Sequence, residues 1–142
     1  MGEMIMASNF AGIAFGNAGV GAVHALSYPL GGTYHVPHGE GNYQFFTEVF
    51  KAYERKAPAG QMQLLKEKLA KLMGCTPAAL FDEIDALLSA LIAKNSLRTY
   101  GMKEEEIEGF ADAVIATQQR LLANNYTPLT RDEIRDIYKA LY

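Results

Sequence analysis

Residues 19–42 read GVGAVHALSYPLGGTYHVPHGEGN and contain every histidine of the chain, His24, His35 and His38. From Met4 through Gly39 there is no Asp, Glu, Lys or Arg, so these imidazoles lie in the most apolar third of the sequence. Neutral imidazole is a common metal ligand that titrates near neutrality, and a buried polar ring needs a partner. The cluster therefore reads as a metal site or an acid/base site, against the competing reading of core histidines bonded to backbone carbonyls.

Spacing separates the possible pairs. On one straight helix His24 and His38 would face nearly the same way but stand roughly 21 Å apart, too far for one ion. Both reach a single ion only if the chain doubles back between them, and Pro29, Gly31-Gly32 and Pro37 supply the means. His35 and His38 offer a rival pairing at i, i+3, yet Pro37 biases Val36 away from the α region. His24 with His38 is accordingly the first candidate pair.

Working outward, 142 residues with 49% hydrophobic content suffice for one compact domain, and a net charge of −3 without a basic patch excludes a nucleic-acid footprint. The lone Cys75 rules out an internal disulfide, reads as a small buried hydrophobe and suits a reducing cytoplasm. The apolar run from Phe10 to Leu30 has the length of a membrane span, but it carries Asn17, His24, Ser27, Pro29 and several glycines and lacks flanking Lys or Arg. Neither a membrane anchor nor a signal peptide is expected.

Helical periodicity runs through the rest of the chain. MIMASNFAGIAF reads as a helix buried on most sides, with Ala11, Gly12, Gly16 and Gly19 allowing neighbouring backbones close. Phe46, Val49, Phe50 and Tyr53 form a stripe on a helix from about 41 to 56. Leu64, Leu65, Leu69 and Leu72 predict the inner face of a helix over 61–73, and Gly74 stops it. Thr76 caps a helix with Pro77 in its first turn, whose inner stripe is Phe81, Ile84, Leu87, Leu88 and Leu91. Lys103-Glu104-Glu105-Glu106 opens a further helix that continues to Leu122, and Thr130-Arg131-Asp132-Glu133 is a capping box for the last. No convincing strand pattern appears, and the expected fold is all-α. Gly19-Val20-Gly21 does not begin a dinucleotide fingerprint, because no strand precedes it and His24 occupies the third glycine's place.

The run GNAGVGAVHALSYPLGGTYHVPHGEGN resembles the signature of the iron-containing (group III) alcohol dehydrogenase family. Asn17, Gly21, His24, Pro29, Leu30, Gly31, Pro37, His38 and Gly39 fall where that pattern places them. The wording HALSYPLGGTYHVPHGE is most similar to the 4-hydroxybutyrate dehydrogenase branch. The resemblance implies that His24 and His38 are metal ligands. It also marks a departure: the family usually carries a second histidine where this chain has Tyr28, which becomes a candidate catalytic residue.

The resemblance further implies a dehydroquinate synthase-like, multi-helix C-terminal domain over 1–142. The N-terminal nucleotide-binding domain that would precede it is absent from this chain. The implied reaction is hydride transfer between a small alcohol or aldehyde, here 4-hydroxybutyrate and succinate semialdehyde, and NAD(P) held by the missing domain. A divalent cation, Fe2+ or Zn2+, acts as a Lewis acid on the substrate oxygen. Family sites add an aspartate and another histidine from the part not present, so residues 1–142 hold half a site. A cytoplasmic homo-oligomer is expected. The alternative is a non-catalytic helical interaction or oligomerisation module with structural histidines, separated from the first reading by whether His24 and His38 converge.

Overall fold

The computed structural model describes residues 2–142, and these form eight α-helices and no strand. They are α1 (Gly2–Ala18), α2 (Ala22–Tyr34), α3 (His38–Lys56), α4 (Gln61–Met73), α5 (Leu80–Leu91), α6 (Ile107–Thr117), α7 (Gln119–Leu122) and α8 (Arg131–Leu141). The all-α expectation holds. α2 packs against α3 and α6, and α8 packs against α3 and α6. Their shared interior holds Leu26, Leu30, Phe45, Val49, Ile107, Ile134 and Ile137, all buried. Tyr138 sets its ring edge-on to Phe45 and donates its hydroxyl to the Leu26 carbonyl at 2.6 Å, which locks α8 onto α2.

The doubling back occurs, but only at residues 35–37. Pro29, Gly31 and Gly32 all lie inside α2. Proline removes one rung of the helical ladder without ending a helix that is packed on its neighbours. Termination falls to His35, which takes a left-handed conformation (φ 56°) and donates its N–H to the Gly31 carbonyl at 3.0 Å. Pro37 then stands as the N-cap of α3, so that helix starts at His38, three residues before the expected Gly41. Gly41 marks a close approach of α3 to α2, because a Cβ there would stand 3.3 Å from Ser27 Cβ.

Three core assignments require correction. α1 has no buried residue at all, and Gly12 and Gly16 have open space around them rather than a neighbouring backbone. On α4 the buried positions are Met62, Lys66 and Ala70, while Leu64 and Leu72 are exposed. Lys66 lies in the interior along its hydrocarbon stem and pairs with Glu54. α5 buries only Leu80 and Phe81, leaving Leu87 and Leu91 exposed. The acidic run is a 3₁₀ turn, Glu104–Glu106, and Gln118 separates α6 from α7.

The caps behave as expected. The Thr76 hydroxyl accepts from Ala79 N–H, and Thr130 and Glu133 exchange the two bonds of a capping box at 3.2 and 2.6 Å. Among the described residues no single helix is long and apolar enough to cross a membrane. α1 and α2 are so only together, and they are bent by 99° at their joint.

Candidate functional site

The turn at 35–37 folds α3 back along α2, and this places His38, the first residue of α3, opposite the first two turns of α2. The rings of His24 and His38 have centroids 5.0 Å apart and planes tilted by 51°. Tyr28, one turn along α2 from His24, has its ring 6.1 Å from that of His38. His35 does not join them. It is exposed, and its part in the structure is the backbone cap of α2.

The geometry suits a shared ion. Two imidazoles bound to one cation at about 2.1 Å, with a near-tetrahedral angle between them, hold their centroids about 5 Å apart. Burial, and after it the neighbouring His38, keep the His24 imidazole below its ordinary 6.5. Lowered affinity for a proton leaves it in the neutral form that ligates. Two rings are still an incomplete ligand set. Among the described residues no group of three or more His, Cys, Asp or Glu side chains could hold a metal ion.

Sequence reading missed the support beneath His38. Asn42 lies one turn along α3, and its side-chain amide nitrogen stands 3.1 Å from His38 Nε2. Its Oδ1 accepts from the Ser27 hydroxyl at 2.7 Å, which orients the amide. Ser27 is buried in α2, so this chain of bonds ties the ring of His38 to the helix that carries His24. The i, i+4 relation of His38 and Asn42 would have revealed it had the helix been started at His38.

Two cavities flank the pair. A pocket of about 600 Å³ opens beside His24, walled mainly by Val20, Val23, Phe46, Phe50, Met62 and Leu65. A smaller one of about 220 Å³ touches Tyr28 and His38. The floor beside His24 is pinned from a distance: Asn125 Oδ1 accepts from Ala22 N–H at 2.8 Å and caps α2, and Asn124 Nδ2 donates to the Val20 carbonyl at 3.2 Å. Gly19 has φ +78°, and a Cβ on it would meet Asn124 Nδ2 at 2.6 Å.

The whole chain, residues 1–142, matches the model of the Fe-containing alcohol dehydrogenase family, C-terminal. The chain belongs to that family. It is an iron-containing alcohol dehydrogenase C-terminal domain, as the signature around His24 and His38 implied. It is 57% identical to 4-hydroxybutyrate dehydrogenase of Clostridium kluyveri over 99% of its own length and 38% of that protein's. Long-chain-alcohol dehydrogenase 1 of Geobacillus thermodenitrificans is 34% identical, over 99% of this chain and 36% of the relative. The NADPH-dependent butanol dehydrogenase of Clostridium saccharobutylicum is 27% identical, over 99% and 37%. The domain thus spans little more than a third of the length of these relatives. No solved structure gives a significant match.

Proposed function

We propose that this domain supplies the metal- and substrate-binding half of an NAD(P)-linked alcohol dehydrogenase that interconverts 4-hydroxybutyrate and succinate semialdehyde. An N-terminal nucleotide-binding part would complete it, in a cytoplasmic homo-oligomer. The reading rests on one observation: His24 and His38, far apart along the helices, hold their rings 5.0 Å apart. The degree of identity to the Clostridium kluyveri enzyme supports the choice of substrate.

In this reading His24 and His38 are two ligands of a divalent cation, iron first and zinc second. When bound, the cation polarises the alcohol oxygen and lowers its pKa, which favours departure of hydride to the nicotinamide. His24 contributes a nitrogen kept free of its proton, and His38, at the start of α3, contributes the second imidazole. The two imidazoles carry no negative charge, so an aspartate from the part of the protein outside this chain would balance the charge. Tyr28, beside His38, is a candidate catalytic residue through its hydroxyl. The apolar wall next to His24 receives the substrate's carbon chain and excludes water.

The test is a full-length chain in which residues 1–142 follow the N-terminal part of the Clostridium kluyveri relative. That enzyme should oxidise 4-hydroxybutyrate with NAD in a manner abolished by chelation and restored by Fe2+. His24→Ala and His38→Ala should each lower kcat/KM at least about a hundredfold. Turnover that survives chelation, or that survives His24→Ala, contradicts the assignment.

A further inference from the structure

The pocket beside His24 is not uniformly apolar. Gln61, Leu64, Leu65 and Lys68 line it from α4 and fall at i, i+3, i+4 and i+7, one stripe of a helix. Two leucines therefore separate an amide at one end from an ammonium at the other, about 10 Å along the axis. Lys68 is exposed at the rim. Its charge is unanswered: among the described residues Lys68, like its neighbour Lys71, has no carboxylate within 4.0 Å and makes no side-chain hydrogen bond, and of the two it is Lys68 that lines the pocket. None of the residues lining the pocket is acidic.

A cavity lined by an imidazole, by apolar side chains and by an exposed ammonium has the groups to receive a chain with an oxygen at one end and an anion at the other. We infer that Lys68 is the specificity determinant that selects an alcohol bearing a terminal carboxylate over a plain alkanol, by pairing with that carboxylate while the hydroxyl end lies at His24. The inference rests on the reading of His24 as the reacting end of the site and adds the group that recognises the far end. Lysine suits the task as a mobile point charge on a flexible stem. Its three donors form charge-assisted bonds with a carboxylate.

The experiment uses the full-length enzyme described above, with 4-hydroxybutyrate and 1-butanol as paired substrates and butyrate as an inhibitor of butanol oxidation. Lys68→Met should raise KM for 4-hydroxybutyrate and Ki for butyrate by about 10- to 100-fold. It should leave kcat for the hydroxy acid and kcat/KM for butanol within about twofold, and Lys68→Arg should restore most of the loss. Equal losses on both substrates, or no change in KM and Ki, overturn the assignment of Lys68 while the metal-site reading stands. A parent enzyme that oxidises butanol, ignores 4-hydroxybutyrate and is not inhibited by butyrate overturns both the substrate reading and the role of Lys68. Butyrate inhibition that weakens in Lys68→Met supports the carboxylate contact even where hydroxy-acid turnover is slow.

Discussion

α1 and α2 adjoin in sequence and are both apolar, yet one buries nothing and the other buries five of its residues. Met4, Phe10 and Phe15 on α1 are 74%, 63% and 56% exposed, while Leu26 and Leu30 on α2 are fully buried. Apolar composition states that a side chain gains by leaving water, and it says nothing of what will cover it. For α2 the cover is α3, α6 and α8. For α1 it is not supplied by residues 2–142. A run of exposed apolar side chains of this extent is the character of an interaction surface.

Cutting equal side chains from the covered and uncovered regions should give the widest difference. Phe45→Ala, in the interior where α3 meets α8, should cost about 3–5 kcal/mol in urea unfolding. Phe10→Ala on α1 should change stability by less than about 0.5 kcal/mol. Similar losses at the two positions would mean that α1 is packed after all.

Association should set the two helices apart as well. The 142-residue chain should self-associate through α1, and replacing Met4, Phe10 and Phe15 together by Ser should return it to monomer by light scattering with its unfolding midpoint unchanged. A parent chain that is already monomeric at high concentration contradicts this.

The smallest expected effect lies at the joint between the two helices. Asn125→Ala removes the acceptor of the Ala22 N–H at the start of α2 and should cost about 1–2 kcal/mol. The loss should appear first as faster amide exchange at Ala22 and its neighbours. Unaltered exchange there would show that α2 is capped in some other way.

Much of this was legible in the residues. The all-α class followed from uninterrupted helical periodicity, and the Thr130–Glu133 box announced α8 because capping is chemistry confined to four residues. The closeness of His24 and His38 was legible too, since Pro37 biases Val36 away from the α region and the chain turns there. What was not legible depended on partners distant in sequence. Pro29 looked like a breaker because its tolerance comes from packing, and the break passed to His35, a non-glycine residue in the left-handed region. Leu64 and Leu72 looked like core, whereas the interior of α4 took Lys66, whose stem is apolar and whose charge is met by Glu54 on another helix. Asn125, some hundred residues from the helix it caps, left no local signal.

The central claim, that His24 and His38 act together on one cation, is tested most directly by calorimetric titration of Zn2+ or Fe2+ into the 142-residue chain and its three histidine variants. One weak site per chain is expected, weakened roughly tenfold or more by either His24→Ala or His38→Ala and unchanged by His35→Ala. Undiminished binding in His24→Ala, or loss of binding in His35→Ala, would contradict it.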